Sequence, residues 1–189
     1  MAAGKFADAV ATGRVFSVST VVAGVAIPIS TTTAPIVMVW NPQDSGVMVN
    51  CLRYVVGWSS GTSVPSTVGF QTMAVGSNGI TGQTNAAIGG FTPTTIKNAL
   101  IGSGAASKVR ASAQATNAIV AVVNWTPTGI QLSTGAATGV NPPGAPSFYD
   151  FDGLCQLLPG TAMFTCGNAA SGALMSQVLY WEEVPINTR

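Results

Sequence analysis

The sequence contains no histidine. That absence removes every Ser-His-Asp or Cys-His arrangement, every imidazole-bound metal and every histidine proton shuttle. Charge is almost as scarce, at 7% of residues where an ordinary soluble domain carries about 25%. A compact 19.1 kDa monomer exposes about 8,400 Å². Seven basic and six acidic residues then leave one charge per ~650 Å², against one per ~180 Å² on an average domain. The surface is therefore clothed in Ser, Thr, Asn, Gln and Gly, or lies against partners. With a net charge of +1 there is little repulsion to hold copies apart, so self-association is expected.

The basic residues that are present do not cluster. Lys5, Arg14, Arg53, Lys97, Lys108, Arg110 and Arg189 are scattered along the chain, which excludes the concentrated basic face that nucleic acid requires. Only Lys108 and Arg110 sit close, and on an extended strand they share a face. That pair reads as a solvated strand edge, with one phosphate or carboxylate contact as the alternative. Three cysteines, Cys51, Cys155 and Cys166, are too few and too irregularly spaced for a disulfide framework or a zinc site. They read as small buried hydrophobes, with a Cys155–Cys166 hairpin bridge left open. The apolar run Val15 to Ile29 falls short of the roughly 20 residues of a membrane span. Its alternating Ser17, Ser19 and Thr20 make it two short strands rather than a signal-peptide core.

What the sequence has in quantity is strand signal. β-Branched and small polar residues abound, Gly and Pro recur at short intervals, and no long stretch keeps a 3.6-residue apolar period. Strands are expected near 14–20, 22–30, 36–40, 47–57, 67–75, 118–124, 129–133, 154–158, 162–166 and 174–184. Turn groups such as Asn41-Pro42-Gln43-Asp44-Ser45-Gly46 and Gly167 to Gly172 separate them. Lys5 to Thr12 reads as a short helix or a loose arm, and Pro93 to Leu100 as a helical turn capped by Thr92. The expected fold is all-β, a jelly-roll-like antiparallel β-sandwich over residues 14–189, preceded by a short N-terminal arm over 1–13.

Candidate chemistry is thin. Asp150 and Asp152 share a face if extended and suit a hard cation, but two carboxylates do not define a site without carbonyl help. They read first as a polar loop. Glu182 and Glu183 are adjacent, so they face opposite sides of a strand. Their expected role is to blunt the last strand or to meet a neighbouring subunit. Gly102-Ser103-Gly104 lacks the following Lys-Ser or Lys-Thr of a phosphate loop. No catalytic residue, metal or cofactor is assigned, and the chain reads as a non-enzyme. The aromatics are the best recognition candidates. Trp58 and Trp125 precede turns and admit two readings, core packing or a projecting ring for a sugar or partner. Trp40 and Trp181 sit among apolar residues and read as core or interface.

Two stretches carry a family resemblance: GVAIPISTTTAPIVMVWNPQDSGVMVNCLRYVVGWSSGT, from Gly24 to Thr62, and GALMSQVLYWEEVPI, from Gly172 to Ile186. Together with Asn98 to Gly104 they resemble a group of tailed-phage virion proteins of similar length. The resemblance implies a small β-sandwich that decorates or cements a capsid, as a homotrimer on the outer surface of the shell, in contact with the major capsid protein. It brings no catalytic residues; the scattered charge and the short apolar run leave no nucleic-acid or membrane partner expected. A carbohydrate-binding or adhesive head of a virion fibre is the second expectation.

Overall fold

The computed structural model describes residues 6–27, 37–61, 67–74, 94–113, 124–131, 147–168 and 172–186. Among the described residues one short helix, α1 (Ala7–Ala11), precedes twelve strands: β1 (Val15–Ser19), β2 (Val25–Ala26), β3 (Val37–Asn41), β4 (Val47–Ser60), β5 (Thr67–Ala74), β6 (Lys97–Asn98), β7 (Arg110–Ala113), β8 (Asn124–Gln131), β9 (Ser147–Asp150), β10 (Gln156–Leu157), β11 (Thr161–Gly167) and β12 (Leu174–Pro185). The fold is an all-β sandwich of two antiparallel sheets.

The first sheet is built on β4 and β12, which pair from Val47↔Pro185 to Ser60↔Leu174. Their length follows from their sequences. In β12, Met175, Gln177, Leu179, Trp181 and Glu183 are buried while the intervening residues are not, the period of two that marks a strand with one face on a core. The outer edge of β12 pairs with β1 and β2, and that of β4 with β9 and β10. The second sheet runs β7-β3-β11-β5-β8. All five residues of β3 are buried, as are six of the seven in β11, so the middle of this sheet is covered on both faces.

Leaving aside β7 and the two-residue strands, eight strands follow one rule. First pairs with last (β1 with β12), second with seventh (β3 with β11), third with sixth (β4 with β9) and fourth with fifth (β5 with β8). A long antiparallel hairpin rolled over on itself produces this order, and the roll is closed by β12 on β4 and β11 on β5. Between the fourth and fifth strands, the segment 94–113 extends both sheets, with β6 on β1 and β7 on β3.

The inner faces meet in one apolar cluster. Phe16, Val18, Val49, Tyr54, Val56, Leu179 and Trp181 come from the first sheet, and Val37, Val39, Phe70, Ala111 and Met163 from the second. Phe70 anchors it, with its ring 4.7 Å from Phe151 and 5.3 Å, edge-on, from Tyr54, the offset geometry that ring quadrupoles favour. One turn leaves no room for a side chain. Gly24, at φ +77°, would place a Cβ 2.8 Å from Ser59 Oγ and 3.0 Å from the Met175 backbone, so the β1–β2 turn packs this closely only with glycine there.

Several expectations shift. The helical turn at Pro93 to Leu100 is replaced by β6, where Lys97 and Asn98 pair with Ser17 and Phe16. One helical turn would leave most of its backbone groups unbonded, whereas the edge of β1 supplies partners. The expected strand at 22–30 pairs only over Val25–Ala26, with residues 28–30 outside the described residues. The 118–124 strand lies outside them except for Asn124. The 129–133 strand is the end of the longer β8. Strands β7 and β9 were not anticipated. The expected short helix near the N-terminus is α1, which buries no residue.

Candidate functional site

The last strand separates its two glutamates. Glu183 follows Leu179 and Trp181 onto the inner face and is 6% exposed. Its carboxylate accepts hydrogen bonds from Ser107 Oγ, from the Lys108 backbone N–H at 3.0 Å and from the Trp181 indole N–H at 3.3 Å. These donors replace the water that the buried charge has lost. They also tie the 94–113 segment to the end of the sandwich. Glu182 faces outward, and its carboxylate pairs with the Arg14 guanidinium at 3.0 Å. The opposite orientation expected for the two neighbours is what the strand produces, and both carboxylates have partners within the chain. Trp181 is wholly buried, its ring stacked on Phe16 at 6.3 Å.

A second polar group lies deeper. Gln177, wholly buried in β12, accepts at Oε1 from the Tyr54 hydroxyl at 2.8 Å and from Thr165 Oγ1 at 3.0 Å. It joins the two sheets through neutral groups. Burial pushes the Tyr54 phenol well above its ordinary pKa, which keeps it a donor.

Near the middle of β4 the ladder is interrupted. Trp181 opposes Cys51 and Tyr180 opposes Arg53, so Leu52 is an extra residue, a β-bulge that resets which side chains face inward. Beyond it, Arg53 points outward and grips Asp150 on β9 with both arms of its guanidinium, at 2.6 and 2.9 Å. The two are directly opposite in register. The carboxylate raises the Arg53 pKa further, and the guanidinium also stacks over Phe148, 4.7 Å from the ring centre. Asp150 is thus committed to a cation of its own chain. Asp152 sits in the turn beyond it at φ +49°, followed by Gly153 at +83°, with the Leu154 N–H bonded to Phe151 O at 2.8 Å. Among the described residues no group of three acidic or thiol side chains gathers.

Beside the bulge lies a cleft of about 310 Å³ lined by Phe6, Asn50, Cys51, Leu52, Asp152 and Glu182, among others. Glu182 in its lining is paired with Arg14 of the same chain. A second, more open depression of about 380 Å³ brings Lys108 and Arg110 together with Pro42, Asp44 and Ser45. The two cations share a surface as their spacing suggested, with an acid beside them. Arg110 lies over the Trp40 ring at 5.2 Å, its partner across β3 and β7.

Of the aromatic candidates, Trp58 is half-buried against the core cluster and donates its indole N–H to Gly61 O at 3.1 Å. Trp125 lies on β8 and pairs with Gln71 through the backbone, its side chain lying outside the described residues. Of the five candidates Trp58, Trp125, Trp181, Glu182 and Glu183, the structure brings Trp181 and Glu183 into contact and turns Glu182 to the opposite face. The structure also assembles residues far apart in sequence: Arg53 with Asp150, Glu183 with Ser107, and the sulfurs of Cys51, Cys155 and Met163, with Cys51 Sγ 3.8 Å and Cys155 Sγ 3.4 Å from Met163 Sδ. All three cysteines are free thiols. Cys155 thus neighbours Cys51 and not Cys166, whose sulfur approaches Gly69 O on β5. The signal for the Glu183 contact was the inward phase of Leu179 and Trp181, and no local signal marks the other pairs.

Comparison with family models, with curated proteins and with solved structures gives no match.

Proposed function

We propose that this chain is a structural virion protein, a subunit that decorates or cements a phage capsid through symmetric self-association, as a homotrimer, and through contacts with the major capsid protein on the capsid surface. The observation that carries the reading is large apolar side chains displayed on a surface with very little charge. Val22, Ile101 and Leu154 are 96%, 97% and 84% exposed, and each sits in a loop between successive strands. Phe148 and Leu158 add two more, both more than half exposed, near Leu154 along the β9–β10 edge. Such residues favour burial against a neighbour by about 25 cal/mol per Å², and few charges stand in the way.

The strand order supports the same reading. A rolled hairpin of eight strands is the jelly-roll arrangement, used by viral shell and lectin domains. The topology by itself leaves function open, so weight falls on the surface and on the resemblance to tailed-phage virion proteins. The chain acts by packing and not by catalysis in this reading. Trp58, half-buried and committed to Gly61, offers less to a sugar than a freely projecting ring, which places the fibre-head reading second. α1 buries no residue and reaches the sheet mainly at Phe6, whose ring lies 5.8 Å from the Arg53 guanidinium. An arm held this lightly is suited to exchange onto a neighbouring subunit.

The test is the mass of the native particle in solution, against a protomer of 19.1 kDa, followed by co-sedimentation with undecorated capsids. A trimer that binds capsids, with binding weakened on deletion of residues 1–13, is expected. A monomer that stays monomeric at high concentration and ignores capsids overturns the reading.

A further inference from the structure

We propose that Cys51 and Cys155 form an oxidative modification site, closing to a disulfide when the folded protein meets a hydroperoxide. The inference does not depend on the virion reading.

Two independent observations carry it. The first is register. β10 pairs with β4 as Leu157↔Val49 and Gln156↔Asn50, so the next position sets Cys155 opposite Cys51. The Cys51 N–H donates to Cys155 O at 3.0 Å, which holds that position although Asp152, Gly153 and Leu154 loop away just before it. Hydrogen-bonded opposite residues have Cα atoms about 5.5 Å apart, within the span a disulfide bridges. The second is the side chains. Both thiols reach the same atom, Met163 Sδ, at 3.8 and 3.4 Å, so both turn toward one spot between the sheets. Two sulfurs converging on a third from opposite strands need a rotation about χ1, and no backbone movement, to meet.

Their surroundings divide the labour. Cys51 is wholly buried, and Cys155 is half-exposed beside the turn. The hydrogen bond with Cys155, and burial after it, push the Cys51 thiol up, while the hydrogen bond from Cys51 draws Cys155 down. Cys155 is then the thiolate that an oxidant reaches. Its sulfur attacks one oxygen of the hydroperoxide, the O–O bond breaks, and a sulfenic acid and hydroxide form, or an alkoxide from an organic peroxide. Cys51 sulfur next attacks the Cys155 sulfur, the S–O bond breaks, the Cys51 proton leaves with that oxygen, and water is released. Each disulfide consumes one peroxide, which takes up the two electrons that the thiols lose. The product clips the β9–β10 edge to β4, across a loop of about 100 residues, and a crosslink closing so long a loop removes much of the unfolded chain's freedom.

The experiment uses the full chain, folded and reduced, exposed to hydrogen peroxide, quenched, unfolded and alkylated without reductant. Intact mass and peptide mapping are expected to show one alkylated thiol, Cys166, in place of three, and a joined Cys51–Cys155 peptide two hydrogens lighter than its parts. The thermal midpoint should rise by about 5 °C or more and return on reduction. Cys51→Ser should leave Cys155 as a sulfenic acid trapped by dimedone. If that core variant does not fold, Cys155→Ala at the half-exposed position serves instead, and should keep Cys51 alkylatable after peroxide. Three thiols surviving excess peroxide overturn the proposal. So does a bridge that uses Cys166, over-oxidation of Cys155 with Cys51 still free, or Met163 sulfoxide as the main product.

Discussion

The two ends of β12 bury polar groups in different ways. At Gln177 the group is neutral, its partners Tyr54 and Thr165 come from the two sheets, and each hydroxyl donates to one amide oxygen. At Glu183 the group is a carboxylate, and its partners Ser107, Lys108 and Trp181 come from the inserted segment and from the strand itself. The first device sets how the sheets face each other. The second fastens an insertion to the end of the roll. A buried neutral group that loses one of two partners keeps most of its satisfaction, whereas removing a buried carboxylate strands several donors together. The charged end should therefore be the more fragile.

Substitution sharpens that contrast. Glu183→Ala is expected to cost the most, about 3 kcal/mol of unfolding free energy, because Ser107 Oγ, the Lys108 N–H and the Trp181 indole all lose their acceptor. Urea unfolding measures it, and faster amide exchange at Lys108 should accompany it. Tyr54→Phe removes one donor and leaves Thr165 on Gln177, for about 1 kcal/mol. If it equals or exceeds Glu183→Ala in the same titration, the ordering of the two ends is wrong. Glu182→Ala, one residue away but outward and paired with a half-exposed Arg14, should cost no more than about 0.5 kcal/mol. A double-mutant cycle on Arg53 and Asp150 should return a coupling of about 1 kcal/mol or less, since both side chains remain partly exposed. Salt should weaken that coupling and leave the Tyr54 effect in place.

Much of this contrast was legible in the chain. The alternation through Leu174 to Pro185 announces a strand, and its phase puts Gln177, Trp181 and Glu183 on one face. The first eleven residues of β4, 47–57, were also visible as a strand, while its last three run on through Ser59 and Ser60, which read as a turn; the bulge at Leu52 was not visible, because two successive apolar residues, Cys51 and Leu52, look the same in either phase. β9 was missed because Ser147-Phe148-Tyr149-Asp150 is short and follows a Pro-rich stretch. Only the free edge of β4 makes it a strand. β6 is illegible for a similar reason: two residues have no period, and Thr92 with Pro93 has the form of a helix cap. The cysteines show the limit most clearly. The ten residues between Cys155 and Cys166 made a hairpin bridge conceivable, while the neighbour that matters, Cys51, lies more than one hundred positions away.

By itself, then, the sequence determined the class of fold, the faces of its long strands, the absence of histidine and the scarcity of charge. These rest on local period, on turn residues and on composition, none of which needs a distant partner. Only the tertiary structure decided which residues meet: Arg53 with Asp150, Glu183 with Ser107, and Cys51 with Cys155. Rolling one long hairpin over on itself brings early and late strands together edge to edge, and pairings made that way leave no mark in the residues beside them.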